Sequence, residues 1–409
     1  MSSSGATEQE LPAPRDILYI NVSRIGDTLL VTPAVRAVAA RWPQARIHLL
    51  AHPKREEVLR FLPFVHRTGA IEKQRARFMG WVGSPFAGKP YDLAFVCNFD
   101  APLIEYALRV ARRVVAFRQP DEALNAKLYR AVEHPALQTT HAVDIQLMLP
   151  AAVGAAPAGK ALSYCVTADE DLWAARFLTA CGINAAGHVG VGPISVGQTM
   201  DGRLGAVGPT SVGQTVDGGL KSALRSAQLS AQASAPPPVA NAPTGGHPLI
   251  GLQVASFPTK AYRDWPPGHF SELCRRIRAR WPDAHFLIFG GELERDRTAA
   301  LAAELGSAAT LCAGKLTLRE TAALMQRVDL YVGVDTGPTH LMGAMQRPMV
   351  ALYHGYSPSR VLAPLDHPSL YAIDHPQADR CTPEADMAEI SVDRVWAAVQ
   401  QALTEHPGQ

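Results

Sequence analysis

In two series along this chain, apolar runs of strand length alternate with amphipathic helical stretches. This alternation restricts the possible folds more than any other feature of the sequence. The stretch 34–42, for example, places its apolar side chains on one helical face. Strands that alternate with helices pair in parallel, with helices on both faces of the sheet. The 409 residues are enough for two such units. We therefore predict an α/β chain with two doubly wound domains facing a cleft. The predicted strands are Ile17–Val22, Ile47–Ala51, Leu93–Cys97, Val114–Phe117, Leu249–Val254, His285–Phe289, Leu330–Val334 and Met349–Tyr353.

The two series are separated by residues 184–247, which contain no Phe, Trp or Tyr and are rich in Gly, Ser, Ala and Pro. Within this segment VGPISVGQTMDGRL at 191–204 is repeated as VGPTSVGQTVDGGL at 207–220. Because a solenoid needs three or more repeats to build a core, we interpret the segment as a flexible, duplicated insert. The resulting boundaries are a disordered tail 1–16, an amino-terminal domain 17–165, a connecting helix 166–183, the insert 184–247, a carboxy-terminal domain 248–390 and a closing helix and tail 391–409.

Charge and composition exclude several classes of protein. A formal net charge of +2 argues against a polybasic nucleic-acid binder, and a mean hydropathy of −0.01 argues against a polytopic membrane protein. The six cysteines form no CxxC pair, which disfavours a disulfide framework and a structural zinc site. Residues 1–16 lack the apolar core of a signal peptide, so we expect a cytoplasmic protein.

The first predicted strand leads directly into the turn Ser23-Arg24-Ile25-Gly26-Asp27-Thr28. Ligands in doubly wound domains bind at such strand ends. The turn has a single glycine, so it is not a GxGxxG dinucleotide fingerprint. Asp27 has two interpretations: an N-cap that accepts backbone N–H bonds, or a carboxylate held in the cleft as a general base.

A second turn, Gly333 to His340 (GVDTGPTH), joins the strand Leu330–Val334 to a short helix. Glycine lets the backbone approach a ligand closely, and free N–H groups at a helix start suit a phosphate. Thr336 and Thr339 add hydroxyl groups, and His340 lies about one turn into the helix. The alternative is an ordinary capped turn with a core histidine.

Charged residues near other strand ends are weaker candidates. Lys260 and Arg263 are placed to meet phosphate oxygens while Trp265 packs as a wall, and Glu292 is placed to accept hydrogen bonds from a ribose. Each is equally explained as a solvated surface charge or as an acid at a helix start. Residues 1–150 carry 19 basic and 14 acidic side chains. This excess of positive charge favours the binding of an acidic acceptor by basic residues of this half, among them Arg67 and Arg75.

Four segments resemble the ADP-heptose:lipopolysaccharide heptosyltransferases, glycosyltransferase family nine. They are SRIGDTLLVTPAVRAV, the K-x-x-R-x-W-P segment from Lys260, FGGELERDR, and GVDTGPTHLMGAMQRPMVALY. The resemblance implies a GT-B fold of two Rossmann-like domains, with the acceptor on the amino-terminal domain and the nucleotide sugar on the other. It implies an inverting, metal-independent transfer with no cofactor, the nucleotide sugar being a substrate. The duplicated insert and Pro338-Thr339 depart from the family's pattern.

By motif position, the resemblance makes Asp27 the general base. It makes Lys260 a phosphate contact, and Glu292 a neighbour of the ribose. Asp335, Thr336, Gly337 and His340 would surround the diphosphate and sugar. We add Arg263 and Thr339 to the donor site, and assign Arg24, Gly26, Arg67 and Arg75 to the acceptor.

The expected partners are an ADP-sugar and a lipopolysaccharide core acceptor, with transient contact at the inner membrane and no nucleic acid. Two rival functions stay open: a nucleotide-sugar epimerase on the same fold, and a catalytically silent nucleotide-sugar-binding protein.

Overall fold

The computed structural model describes residues 12–78, 89–183, 247–378, 380 and 382–407. The duplicated copies at 191–204 and 207–220, and with them the predicted insert up to residue 246, lie outside these ranges.

The amino-terminal domain holds six strands and seven α-helices within its described residues. Its strands are β1 Asp16–Asn21, β2 Arg46–Ala51, β3 Arg67–Ala70, β4 Tyr91–Val96, β5 Ala111–Phe117 and β6 Arg130–Val132. Its helices are α1 Ile25–Leu30, α2 Thr32–Arg41, α3 Lys73–Ala76, α4 Ala101–Val110, α5 Glu122–Asn125, α6 Ala142–Ala151 and α7 Ala168–Ala180, with a 3₁₀ turn at Glu56–Leu59.

The carboxy-terminal domain repeats this plan. Its strands are β7 Leu249–Gln253, β8 His285–Phe289, β9 Ala309–Leu311, β10 Leu330–Val334, β11 Met349–Tyr353 and β12 Leu370–Asp374. Its helices are α8 Pro267–Arg280, α9 Arg295–Leu305, α10 Leu318–Met325, α11 Gly337–Ala344, α12 Ser359–Leu362 and α13 Val392–Glu405. Short 3₁₀ turns lie at Pro258–Arg263, Glu292–Glu294, Gly306–Ala308 and Met387–Glu389.

Both sheets are parallel and have the same strand order, β3-β2-β1-β4-β5-β6 in one and β12-β11-β10-β7-β8-β9 in the other. The strand order reverses beside the first strand of each domain, where Ile17 pairs with Leu93 and Leu330 with Ile250. Loops that leave the strands diverge at this reversal and open a ligand crevice. The predicted α/β class with two doubly wound domains is confirmed.

Two packed layers surround each sheet, and one hydrophobic core runs through both domains. It joins Leu29 and Val35 of the first domain to Leu341 and Met342 of α11 in the second. The opposite face of the second sheet packs separately, on α8 and on α13, whose Val395 is fully buried. The closing helix is therefore an integral part of the carboxy-terminal domain.

Buried arginines tie the connecting helix α7 to α10. The Arg319 guanidinium donates to both oxygens of Glu170, at 2.6 Å each, and to the Cys165 carbonyl at 2.8 Å. Arg327 makes a similar two-pronged contact with Asp171, at 2.8 and 2.7 Å. Glu170 and Asp171, in the first turn of α7, thus hold the two domains together. None of the described helices is long and apolar enough to cross a bilayer.

Candidate active site

The turn that follows β1 leaves the Asp27 side chain free. Arg24, not Asp27, occupies the N-cap of α1, and its carbonyl accepts from the Thr28 amide at 2.9 Å and the Thr28 hydroxyl at 2.7 Å. Asp27 stands in the first turn and is exposed, and its carboxylate has no hydrogen bond or ion pair within the described ranges. The N-cap interpretation of Asp27 is therefore wrong, and the carboxylate is available to a ligand.

Asn98, just beyond β4, fixes this turn from the neighbouring strand. Its Oδ1 accepts from the Val22 amide at 2.7 Å, and its Nδ2 donates to the Ser23 hydroxyl at 3.0 Å. The side chain is 9% exposed. Sequence reasoning missed Asn98, because one asparagine after a strand is typical of any loop.

The start of α1 meets the start of α11 across the cleft at two glycines. A Cβ atom added to Gly26 would lie 2.6 Å from Cδ2 of His340. A Cβ atom added to Gly337 would lie 3.0 Å from the Cβ atom of Ile25. Because 2.6 Å is too short for any real Cβ contact, only glycine at position 26 permits this approach. The two predicted turns, from opposite halves of the sequence, thus face one another, and Asp27 directly follows the contact.

The start of α11 offers the backbone donors that the sequence predicted. Over the part of the chain that the structure describes, the Thr336 and Gly337 amides have no acceptor, as expected for the first residues of a helix. The Thr339 hydroxyl, in contrast, is buried and bonded to the Val334 carbonyl and, at 2.9 Å, to the Tyr331 hydroxyl. Thr339 therefore stabilises the turn, whereas the partly buried Thr336 makes only a long contact, 3.4 Å from the Thr339 hydroxyl.

Asp335 and Arg263 also serve the architecture of the turn. The Asp335 side chain is 1% exposed and pairs with Arg263 at 2.7 Å, while its other oxygen lies 3.5 Å from Nε2 of His340. Arg263 reaches on to the Ser357 hydroxyl at 3.0 Å. Both of the predicted donor contacts are therefore engaged within the protein, and they hold three loops together.

Lys260 lies on the loop after β7 with its charge free. Its ammonium nitrogen is 5.5 Å from the ring centroid of Tyr262 and forms no ion pair with a described carboxylate. The Ser256 hydroxyl donates to the Lys260 carbonyl at 2.7 Å and fixes the backbone there. Trp265 is fully buried, and its indole N–H donates to the Ile390 carbonyl at 2.8 Å. Trp265, which we expected to form a wall beside Lys260 and Arg263, is thus part of the hydrophobic core.

Glu292 follows β8 and is 69% exposed, with Arg295 3.5 Å away. The next acid, Glu294, is buried and accepts from the Gly291 amide at 2.7 Å. Of the two glutamates in FGGELERDR, only Glu292 is therefore accessible to a ligand.

Cations surround the Asp27 side of the cleft. Arg55 precedes the 3₁₀ turn that packs on α1. Burial and the nearby Arg24 lower the pKa of Arg55, while Asp27 raises it. No carboxylate among the described residues pairs with Arg24 or Arg55, so both charges are open to an anion.

The two other predicted acceptor arginines lie differently. Arg67 is the first residue of β3, so it lies toward the amino-end edge of the sheet, away from Asp27. Arg75 stands on α3 beyond the carboxyl end of β3, is 78% exposed, and pairs with Glu72 at 3.2 Å. The structure therefore brings Arg24, Gly26 and Asp27 together with Thr336, Gly337 and His340, and it does not bring Arg67 to them.

His141, the N-cap of α6, is a second histidine at this domain contact. Its Nδ1 accepts from the Val143 amide at 3.1 Å, so its Nε2–H donates to the Ala363 carbonyl of the other domain at 2.8 Å. Burial lowers its pKa, and the nearby His340 adds to that effect. His141 is therefore a neutral link between the domains.

Comparison with known proteins gives a consistent family. Residues 214–387 match the sequence model of glycosyltransferase family 9 (heptosyltransferase). Lipopolysaccharide heptosyltransferase 1 of Pseudomonas aeruginosa is 32% identical over 120 residues, 29% of this chain and 32% of that protein. The protein of the same name from Campylobacter coli is 31% identical over 98 residues, 23% of this chain and 28% of that one. The chain thus spans about a third or less of the length of these curated relatives.

Solved structures agree over nearly the whole chain. A family 9 glycosyl transferase from Veillonella parvula superposes with a TM-score of 0.69 at 16% identity, covering 97% of this chain and 99% of that one. The E. coli ADP-heptose lipopolysaccharide heptosyltransferase II gives 0.65 at 18% identity, covering 95% and 99%. At such identities the likeness is one of fold, and it confirms the expected GT-B arrangement. In sequence over residues 214–387 and in fold over nearly its whole length, the chain is therefore similar to glycosyltransferase family 9, the heptosyltransferase family.

Proposed function

We propose that this protein transfers a heptose, or a related sugar, from an ADP-sugar to a lipopolysaccharide core acceptor, with inversion at the anomeric carbon and without a metal ion. The acceptor class follows the curated relatives, which are lipopolysaccharide heptosyltransferases. The donor class follows an E. coli heptosyltransferase of similar fold that is known with ADP-2-deoxy-2-fluoro heptose, at a TM-score of 0.56 and 16% identity.

One observation carries the proposal: a free carboxylate and a free pair of backbone donors meet where the two domains touch. Asp27 follows Gly26, which lies against His340. Thr336 and Gly337, at the start of the same helix as His340, direct their amides from the opposite domain. A transfer between two substrates needs a base on one side and a leaving-group site on the other, and we assign these roles to the two sides of this contact.

In the proposed reaction Asp27 removes the proton from an acceptor hydroxyl as its oxygen attacks the anomeric carbon. The bond from that carbon to the diphosphate breaks on the opposite face, and the electron pair leaves with ADP. A positioned general base typically gives about 10²–10⁴-fold in rate. The transferred sugar is thereby joined to the acceptor oxygen with inverted configuration at its anomeric carbon.

In this proposal, groups of the carboxy-terminal domain stabilise the negative charge that develops on the diphosphate. Lys260 carries an unpaired ammonium, and the amides of Thr336 and Gly337 add dipoles from the start of α11. A preorganised donor of this kind contributes roughly 2.7–4 kcal/mol to a transition state. Glu292 is assigned to the ribose, and His340 to the edge of the sugar site.

The acceptor side uses the charges around Asp27. Arg24 and Arg55 offer unpaired guanidinium groups to an anionic acceptor, and Arg75 lies further along the same edge of the sheet. In this proposal Arg55 takes the role first expected of Arg67. Because the proposed acceptor is linked to a lipid, the transfer would take place at the cytoplasmic face of the inner membrane. The basic amino-terminal domain would approach that surface.

The test is to incubate the purified protein with ADP-heptose, with and without a heptose-deficient core oligosaccharide, and to measure ADP and sugar products. ADP release that requires the acceptor, with a new glycosidic bond, is the expected result. Conversion of ADP-heptose without acceptor would instead indicate an epimerase. Thermal stabilisation by ADP-heptose with no product would indicate a silent binding protein.

A further inference from the structure

Three aromatic rings cluster beyond the carboxyl ends of β4, β5 and β6. Phe99 stacks on His134 with ring centroids 4.3 Å apart and an interplanar angle of 27°, and it lies 4.9 Å from Phe117. Phe117 is fully buried, whereas Phe99 is 41% exposed and His134 is exposed. A buried ring therefore supports two rings with faces or edges open to solvent.

The pair is held in place rather than loosely packed. Nε2 of His134 lies 2.6 Å from the carbonyl oxygen of Arg118, so this nitrogen carries the proton and donates it. The other ring nitrogen, Nδ1, is left for a hydrogen bond with a ligand hydroxyl. Arg118 pairs with Glu122 at 2.6 Å and with Glu133 at 3.4 Å, so charged groups rim the rings.

The aromatic pair connects directly to the turn that carries Asp27. Phe99 is the residue after Asn98, whose side chain binds the Val22 amide and the Ser23 hydroxyl. Adjacent strands are about 4.8 Å apart, so the ends of β4 and β5 lie roughly 5 and 10 Å from the end of β1. One or two linked sugar rings span such a distance.

We infer that Phe99 and His134 form a subsite that binds a sugar ring of the acceptor, one or two units away from the hydroxyl that reacts at Asp27. The C–H face of a sugar ring packs on an aromatic face, and its hydroxyls bond to polar groups at the rim. An aromatic surface with a few placed polar groups is the usual composition of a small-molecule site. This inference rests on the proposed function and adds a specificity determinant to it.

The chemistry at this surface favours a sugar over other occupants. An acyl chain would place Glu122 and Glu133, which are 68% and 77% exposed, against hydrocarbon. A free phosphate would meet two carboxylates and a single, already paired arginine. A sugar, in contrast, uses both the aromatic face and the carboxylate acceptors.

The experiment compares Phe99→Ala, His134→Ala and Phe99→Trp with the unmodified protein, using ADP-heptose and heptose-deficient core oligosaccharide. Phe257→Ala is the matched control, since Phe257 is 55% exposed but lies in the other domain. An aromatic contact of this kind implies a rise of about two- to tenfold in the acceptor KM for both alanine variants. The donor KM and kcat stay unchanged, Phe99→Trp restores the acceptor KM, and Phe257→Ala leaves it unaltered.

An unchanged acceptor KM in both alanine variants would overturn the inference, as would equal losses of kcat in all three variants. If the unmodified protein transfers no sugar, the proposed function fails, and calorimetric binding of the core oligosaccharide decides the subsite. Binding that Phe99→Ala and His134→Ala weaken supports the subsite independently. An absence of binding to the unmodified protein refutes it.

Discussion

Replacing Gly26 with alanine adds a single Cβ atom at the contact between the two domains and so tests that contact. The new Cβ would lie 2.6 Å from Cδ2 of His340, where ordinary contacts begin at 3.4 Å, so the helices must separate by roughly 1 Å. His340 is 6% exposed and held near Asp335, so its ring has little room to yield. Overpacking of this size costs about 1–3 kcal/mol, and a displacement of about 1 Å at a reacting centre lowers the rate by about 10²-fold.

Gly268→Ala is the matched control for this change. Gly268 is also the second residue of its helix, and no atom lies within 4 Å of an added Cβ atom. Since alanine favours a helix over glycine by up to about 1 kcal/mol, Gly268→Ala should be neutral or slightly stabilising. The difference between the two variants in urea-unfolding midpoint and in transfer rate isolates the steric effect.

Removing the ring should relieve that effect. In Gly26→Ala combined with His340→Ala, we expect a smaller loss of stability than the sum of the single losses. If Gly26→Ala behaves like Gly268→Ala in both stability and turnover, α1 and α11 do not meet as described.

The remaining predictions concern charge. Lys260→Met should lower transfer by roughly 10²–10³-fold without changing the unfolding midpoint, and turnover equal to that of the unmodified protein would contradict the role of Lys260. Arg319→Met should reduce the free energy of unfolding by about 2–4 kcal/mol, because Glu170 then loses its partner, whereas exposed Arg275→Met should change it by less than about 1 kcal/mol. Burial lowers the pKa of His367 to about 4. The stability it contributes is complete above about pH 6.5 and declines, by up to about 3 kcal/mol, as the pH falls toward 4. His367→Asn should flatten that part of a pH–stability profile, and an unaltered slope would refute the assignment.

The central strands were predictable because they are buried on both faces and therefore read as unbroken apolar runs. His285–Phe289, Leu330–Val334 and Met349–Tyr353 have the predicted bounds. All four edge strands, β3, β6, β9 and β12, were missed, since each presents half-exposed positions. The local sequence does not determine which strand lies at the edge of a sheet.

The position of the candidate site was predictable where free backbone amides begin a helix, as at Thr336 and Gly337. It was less predictable where charges pair over long sequence distances. Arg263 and Asp335 are 72 residues apart, and only the fold shows that each is the other's partner. The pair Thr32-Pro33 is typical of a cap followed by the first helical residue, but Val31 caps α2 and Thr32 already lies inside the helix.

The most direct measurement of the central claim is the transfer rate of Asp27→Asn, which keeps the shape of the side chain but removes its negative charge. Asp169→Asn provides the matched control, because it makes the same change in the first turn of α7, outside the cleft. We predict that Asp27→Asn loses at least about 10²-fold in turnover while ADP-heptose still raises its melting temperature as in the unmodified protein. Transfer by Asp27→Asn at the rate of Asp169→Asn would show that this carboxylate is not the base.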